Sequence, residues 1–223
     1  MTQIEQFAEP AVLPALVADT LTQRMRALRH RWPPGDGVGV FHDVRPAETG
    51  YGEATTGTLR ARLAERYLSA LDAAEAGGRP PECWRPLFQY RHHPGVRPVQ
   101  FALGGLHAHI AHDLSLAVVD TCHTLDCAPP ELEGEFERVG DLLASLEERI
   151  HDDLMPGPDL LRIADPLNHL VSSWSLERAR EAAWSSARVL WRLRGLPSSA
   201  EEFRRQTDAG AGLVVRFLLT PCR

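Results

Sequence analysis

The chain lacks lysine altogether: its 223 residues include 24 basic side chains, and every one of them is arginine. A mechanism that depends on a lysine Schiff base or on the lysine of a P-loop is therefore excluded. Long basic runs are also missing, and the formal net charge is −6 at pH 7. Because phosphate binding requires clustered cations, the sequence predicts no nucleic-acid surface.

Long apolar runs are missing as well. No stretch reaches the roughly 18 apolar residues that a membrane-spanning helix needs. The first residues lack the basic start and apolar core of a signal peptide. We therefore expect a cytoplasmic protein with no membrane partner.

The four cysteines form no Cys-x-x-Cys pair, and reduced thiols are the expected state in the cytoplasm. Cys122 and Cys127 have a spacing compatible with a metal, but small apolar side chains near a helix end are the favoured interpretation. The G-x-S-x-G, H-E-x-x-H, G-x-G-x-x-G and Walker motifs do not occur. Nothing in the sequence therefore supports a serine hydrolase or a dinucleotide-dependent enzyme.

What the chain does contain is helical periodicity. Apolar side chains recur at helical spacing, and helices are predicted over 11–31, 55–76, 98–126, 130–154, 159–171, 175–194 and 198–219. Only Gly37–Phe41 and Leu213–Leu219 suggest extended structure. Apolar residues make up 43% of the chain, which is ordinary globular composition, and the length suits one core. We predict an all-α fold, a single-domain bundle of about six to seven helices.

Two stretches rich in glycine and proline interrupt this pattern, at residues 32–54 and 79–97. Both exceed the usual length of a connection between helices. Long loops of this kind commonly carry function, so we expect them to cover or line a site.

The densest set of reactive side chains lies between Gln100 and Asp126. At about 100° per residue, His109 and Asp113 share one helix face about 40° apart. Together they could ligate a metal, or the carboxylate could orient the imidazole as a general base. Their position beside the apolar stripe favours a buried, functional pair. A buried pair with a purely structural role remains the alternative.

The other histidines of this helix are less informative. His107 points about 160° away from His109 and cannot join the pair from this helix. For His112 and His123, a solvated helix face is the favoured interpretation. Gly104 and Gly105 weaken the helix by about 1 kcal/mol each relative to alanine, which indicates close backbone packing or a ligand.

Two later residues are candidate partners of the pair. His169 is the best remote third metal ligand, although a satisfied core histidine is the commoner explanation for such a residue. Arg178 could reach inward to hold a substrate carboxylate, or it could pair structurally with Asp113.

Several of these residues form a pattern that resembles the signature Gln…Gly-x-Asn-Ala-His-Ile-x-x-Asp-Leu of an uncharacterised, mainly actinobacterial family of helical proteins of unknown function. The matching positions are Gln100, Ala108–Ile110 and Asp113–Leu114, with Trp84–Phe88 upstream and Trp174, Arg178, Ala183–Trp184 and Ala187 downstream. The resemblance implies a helical fold and a set of site residues, and no reaction.

Two departures from the family pattern bear on function. His107 stands where the family usually has asparagine, and Arg45 ends the segment Phe41–Arg45 where a tyrosine is usual. A changed site implies a specialised reaction, such as a tailoring step in bacterial secondary metabolism.

A more distant likeness is to the helical fold of zinc-dependent phospholipase C and nucleases, which place His-x-x-x-Asp on a core helix. His109 and Asp113 fit that spacing, but Leu116 and Ala117 stand where a further histidine would be. Because no clear second motif follows within 130–223, we do not predict a trinuclear zinc site.

The leading hypothesis is a small-molecule enzyme that performs hydrolysis or a lyase- or isomerase-type proton transfer. His109 would act as base or metal ligand with Asp113 as its partner, and Gln100 and Arg178 would position the substrate. A divalent metal (zinc, iron or manganese) is left open, with His109, Asp113 and His169 as ligands. The substrate is expected to be small and partly apolar, and a homodimer is left open. The alternative is a non-catalytic ligand-binding or scaffold protein.

Overall fold

A computed structural model of the protein describes residues 12–28, 31–44, 57–154 and 175–221. In chain order these residues form the helices α1 Val12–Ala27, α2 Gly37–Val44, α3 Gly57–Glu75, α4 Arg85–Tyr90, α5 Pro98–Ala108, α6 Ser115–Leu125, α7 Glu133–Leu154, α8 Leu176–Arg192 and α9 Pro197–Leu218. A π-helical segment, His109–Leu114, joins α5 to α6, so the three form one continuous central helix. The described residues contain no strand, which confirms the predicted all-α fold.

Most helix bounds follow the sequence pattern closely. Ser175 caps α8, with its hydroxyl accepting the backbone N–H of Arg178. The two segments thought to be extended are helical and belong to α2 and α9. Gly195, which follows the helix predicted over 175–194, lies in a 3₁₀ turn. The helix predicted over 159–171 lies outside the described residues.

The two glycine- and proline-rich stretches are partly helical, which corrects their description as irregular loops. The first contains α2, whose start is capped by Asp36: its Oδ1 accepts the backbone N–H groups of Val38 and Gly39 at 2.9 and 3.2 Å. The second contains α4, and Arg91 donates to Asp36 Oδ2 at 2.8 Å. One buried carboxylate therefore caps α2 and joins the two stretches.

The central helix is surrounded. α5 packs against α2, α7 and α9, α6 packs against α3 and α8, and the π segment contacts α3, α8 and α9. Every residue from Val99 to Ala108 is buried. Because neighbours surround α5 and the π segment, this part of the central helix has no solvated face, and the exposed side chains lie at the end of α6, from His123 onward.

α2 and α5 approach each other through two glycines. A Cβ on Gly105 would lie 2.3 Å from the Phe41 ring, and a Cβ on Gly37 would lie 2.3 Å from the Phe101 ring. Each phenylalanine therefore occupies the space that the opposing glycine leaves open. This packing holds Phe41 against the central helix near His109.

No helix within the described part of the chain is both long and apolar enough to cross a bilayer.

Candidate functional site

The π segment carries His109, His112 and Asp113 within six residues. A π-helix adds a residue to the turn, and such segments are rare and occur frequently at functional sites. The wider turn changes the directions in which side chains leave the helix. It is therefore the local feature that sets the geometry of the site.

His109 and Asp113 form the buried pair that the sequence predicts. His109 Nδ1 lies 3.3 Å from Asp113 Oδ2, and the side chains are each 2% exposed. The indole N–H of Trp84 donates to the same carboxylate oxygen at 2.9 Å. Two donors from different elements thus orient the Asp113 carboxylate, and the carboxylate in turn fixes the orientation of the His109 ring.

An aromatic shell encloses the imidazole of His109. The rings of Phe41, Tyr67 and Trp84 lie at centroid distances of 6.3, 6.5 and 6.1 Å from it, all in edge-to-face geometry. This arrangement gives His109 an apolar environment on the α2 and α3 side of the central helix.

His42 extends the polar contacts behind this shell. Its Nε2 lies 2.9 Å from the backbone carbonyl of Met25, which can only accept, so Nε2 carries the proton. Its Nδ1, 3.3 Å from the hydroxyl of Tyr67, is then the acceptor of the Tyr67 O–H. His42 is buried, although it belongs to the first of the two glycine- and proline-rich stretches.

A cavity of about 230 Å³ opens on another side of the central helix. His112 and Asp113 line it from the π segment. Its other lining residues are Arg62, Glu65, Arg66, Ser69 and Ala70 from α3, together with Pro81 and Asp120. Arg66 pairs with Asp120, and Arg62 pairs with Glu65 at 2.8 Å, so the walls carry charges of both signs.

His112 is 7% exposed, against the solvated position expected for it. Its Nδ1 is buried and has no hydrogen-bond partner among the described residues. Its Nε2 lies 3.9 Å from Asp208 Oδ1. Burial lowers the pKa of His112, the nearby Arg66 guanidinium lowers it further, and Asp208 opposes both. The imidazole is therefore neutral at neutral pH, with one unsatisfied ring nitrogen.

Cys83 completes a cluster with His112 and Asp113. One donor atom from each of the three buried side chains lies within 4.8 Å of the others. Burial raises the pKa of the Cys83 thiol well above its usual value, and the carboxylates of Asp113 and Asp208 raise it further. The free thiol is therefore protonated at neutral pH.

Asp208, on α9, holds the segment that carries Cys83. Its two carboxylate oxygens accept the backbone N–H groups of Glu82 and Cys83 at 2.8 and 2.9 Å. Sequence reasoning missed both Cys83 and Asp208. The only available signal was that Cys83 directly precedes Trp84, the start of the upstream motif.

The remaining predicted site residues lie elsewhere. Gln100 is buried at the other end of α5 from His109. Its Oε1 accepts the Arg97 backbone N–H, and its Nε2 donates to the carbonyls of Leu218 and Thr220, all at 2.8 Å. It therefore joins the start of α5 to the end of α9.

Arg178 is exposed in the first turn of α8, and His169 lies outside the described residues. The structure thus brings together His109 and Asp113 from the predicted set.

The other residues singled out by the sequence fall outside the cluster. His107 is buried, and burial lowers its pKa to about 4. His123 is exposed, as expected, with its ring 5.0 Å from that of Trp191. Cys122 and Cys127 are hydrogen-bonded to each other, and burial raises the pKa of Cys122 to about 12. A thiol with so high a pKa fits the small apolar role favoured for it.

Comparison with known proteins agrees with the expected kinship to an uncharacterised family. No curated protein and no solved structure matches the chain. A family model described as a family of unknown function, DUF5995, matches residues 18–221, and the chain belongs to that family.

Proposed function

We propose that the protein is an enzyme that acts on a small polar molecule in the cavity beside His112 and Asp113. The observation that carries the proposal is the unsatisfied, buried Nδ1 of His112 next to a buried carboxylate at an open cavity. Protein interiors normally fill space and satisfy buried polar groups. Here the cavity is unfilled and a buried ring nitrogen is unsatisfied, and both features are typical of a site that binds and transforms a ligand.

The proposal gives the residues distinct roles. Asp113 and His112 face the cavity and exchange protons with the substrate, in hydrolysis or in a lyase- or isomerase-type step. His109 is not among the described residues that line the cavity, so it acts as a positioning residue that orients Asp113 together with Trp84.

The cavity limits the substrate. Its volume of about 230 Å³ lies below the range of pockets for drug-sized ligands, so the substrate is a small metabolite. The paired arginines and acids of the wall suit a polar molecule with donors and acceptors, and Ala70 and Pro81 provide a small apolar area. A tailoring step in bacterial metabolism fits such a substrate. The free thiols Cys83 and Cys127 suit the cytoplasm.

The first test is a thermal-shift screen of small carboxylates, amino acids and phosphates against the full chain and two variants. Ser69→Trp places a large ring at the exposed rim of the cavity, without altering the buried cluster. Ser145→Trp makes the same change at an exposed position of α7. We expect compounds that stabilise the natural chain and Ser145→Trp to lose their effect on Ser69→Trp. Compounds that stabilise all three proteins equally would place binding outside the cavity.

Compounds that pass the screen are then incubated with the natural chain and with Asp113→Asn, and products are measured by mass spectrometry. We expect turnover by the natural chain and a loss of at least about 100-fold in Asp113→Asn, because a general acid or base contributes 10²–10⁴-fold. Equal turnover by both proteins would contradict the assigned role of Asp113.

The second candidate is a non-catalytic ligand-binding or scaffold protein. The observation that favours it is the enclosure of His109 by three aromatic rings, which is typical of a structural core histidine. Binding without turnover of any bound compound would support this candidate. Loss of folding in His109→Ala, with no bound compound, would support the scaffold form of it.

A further inference from the structure

Three side chains that commonly ligate metals meet at the edge of the cavity: Cys83, His112 and Asp113. They come from two parts of the chain, the segment before α4 and the π segment. All three are buried, and their donor atoms lie within 4.8 Å of one another. Such convergence of a thiol, an imidazole and a carboxylate is unusual in a core that hydrophobic side chains otherwise fill.

His112, one of the three residues, also has a buried ring nitrogen without a partner, which is independent evidence for a ligand at this side chain. The described residues offer its Nδ1 no hydrogen-bond partner, although the side chain is only 8% exposed. A buried polar atom left without a partner is unfavourable, because it has lost its hydrogen bonds to water and gained none in the protein. An ion that accepts electron density from this nitrogen removes that cost.

Hydrogen bonds from neighbouring residues hold two of the three ligands in position, as is usual in metal sites. Trp84 and His109 both hold Oδ2 of Asp113, and Asp208 fixes the backbone at Cys83. Neighbours of this kind orient ligands in known metal sites and are as important as the ligands themselves. The cavity, which His112 and Asp113 line, provides a path for the ion from solvent.

We propose that Cys83, His112 and Asp113 bind one Zn²⁺ ion, with a fourth coordination position open to the cavity. The mixed sulfur, nitrogen and oxygen donors suit Zn²⁺ and disfavour Mg²⁺ and Ca²⁺, which prefer oxygen alone. Three protein ligands with one open position are typical of catalytic zinc.

The geometry needs only a small adjustment. Zinc bonds of 2.0–2.3 Å place tetrahedral ligand atoms about 3.5 Å apart, so the side chains must close by about 1 Å. Cys83 binds as the thiolate, and its proton passes to solvent.

The inference deepens the proposed function by naming the cofactor of the same site, and it differs from the ligand set first expected. The ligand set first expected was His109, Asp113 and His169. Cys83 and His112 now replace the two histidines as ligands, and His109 becomes a residue that supports Asp113. Metal binding is measured without turnover, so the two ideas fail separately. Bound zinc without any turnover would overturn the enzyme and leave the zinc site. Turnover by a protein that binds no zinc would overturn this inference alone.

The test uses the full chain, stripped with a chelator, dialysed and titrated with Zn²⁺ against a chromophoric competitor. We expect one equivalent to bind with submicromolar affinity. Cys83→Ser and His112→Gln should each weaken binding by more than about 100-fold, because changes to supporting residues already cost 10–100-fold. Trp84→Phe, which removes one supporting N–H, should fall in that smaller range.

Two matched variants serve as controls. Cys122→Ser removes another buried thiol, and His123→Gln removes an exposed imidazole, and both should bind zinc as the natural chain does. No binding by the natural chain, or undiminished binding by Cys83→Ser and His112→Gln, would overturn the inference.

Substitution with Co²⁺ gives a second readout that does not depend on affinity. A thiolate ligand produces a sulfur-to-cobalt charge-transfer band in the near ultraviolet, and tetrahedral cobalt absorbs strongly in the visible. We expect both in the natural chain and in Cys122→Ser, and loss of the charge-transfer band in Cys83→Ser that circular dichroism shows to be folded. A cobalt complex without that band in the natural chain would exclude Cys83 as a ligand.

Discussion

Asp113 is the residue at which most of the polar contacts of the site meet. Its carboxylate is 2% exposed, and a buried charge costs several kcal/mol unless hydrogen bonds compensate for it. Trp84 and His109 both donate to one oxygen, from the segment before α4 and from the π segment. These two hydrogen bonds support the ionised form of a carboxylate that also lines the cavity.

Trp84→Phe should therefore lower the free energy of unfolding by about 1–3 kcal/mol, because it leaves a charged acceptor with one donor fewer. In an Asp113→Asn background the same substitution should cost less, since a neutral acceptor is cheaper to leave unsatisfied. Urea denaturation of the four proteins measures both costs. Equal costs in the two backgrounds would mean that the charge of Asp113 adds nothing to the hydrogen bond from the indole N–H.

Gly104 and Gly105 should respond oppositely to alanine. A Cβ on Gly104 meets its nearest neighbours at 3.5 Å, an ordinary contact, so Gly104→Ala should stabilise the fold by up to about 1 kcal/mol. A Cβ on Gly105 would overlap the Phe41 ring, so Gly105→Ala should destabilise it by about 1–3 kcal/mol. Thermal unfolding compares the two variants. Stabilisation by both would show that α2 moves away at no cost.

At the scale of the helices, sequence periodicity predicted the long elements well because each combines an apolar face with start or stop signals. Ser175 before α8 is such a signal. α2 was missed because Gly37 and Gly39 are poor helix formers, and packing against Phe101 together with the Asp36 cap overrides that preference.

The π segment could not be predicted from the spacing of its residues. A wheel drawn at about 100° per residue placed His109 and Asp113 on one face correctly, since the two remain neighbours in the wider turn. The same wheel assigned His112 to solvent. The segment instead lies among α3, α8 and α9, and these neighbours bury His112. The contact between His109 and Asp113 depends on local helix geometry and could be predicted. The burial of His112 depends on which helices pack against the segment and could not.

The Asp36 cap is open to a matched test at this scale. Asp36→Ala removes the acceptor for two backbone N–H groups of α2 and the partner of Arg91, so it should cost about 2–4 kcal/mol. Asp36→Asn keeps an acceptor for the helix and loses the charge, and should cost about 1 kcal/mol. Chemical denaturation distinguishes them. A cost of Asp36→Asn as large as that of Asp36→Ala would assign the whole effect to the ion pair.

At the scale of the whole molecule, the cluster is assembled from distant parts of the chain. Cys83 precedes α4, His112 and Asp113 lie in the π segment, and Asp208 lies on α9. Asp113 belongs to the pair that the sequence identified, and His112 is its neighbour in the chain. Cys83 and Asp208 reach them only through the packing of α9 against α4 and the central helix, which no local pattern encodes.

The buried histidines make the fold less stable at acid pH. Burial lowers the pKa of one of them, His107, to about 4. Well above pH 6.5 this side chain is neutral in both the folded and the unfolded state and contributes no pH dependence. As the pH falls from about 6.5 to about 4, the unfolded chain takes up a proton that the folded chain excludes, so stability decreases by about 3 kcal/mol in all. His107→Asn should lack this part of the loss, whereas His123→Asn should retain it. Urea denaturation at pH 7 and pH 4.5 measures the difference, and an identical loss in both variants would contradict the assignment.

Trp84 adds an optical property to the site. Its indole N–H faces the carboxylate that the cavity reaches, and tryptophan emission responds to what that N–H meets. A ligand or ion that binds to the Asp113 carboxylate will therefore change the tryptophan fluorescence of the natural chain, without an attached dye. The contrast between the natural chain and Trp84→Phe isolates this signal from the other four tryptophans. Trp84 is therefore an intrinsic fluorescent probe for binding at Asp113.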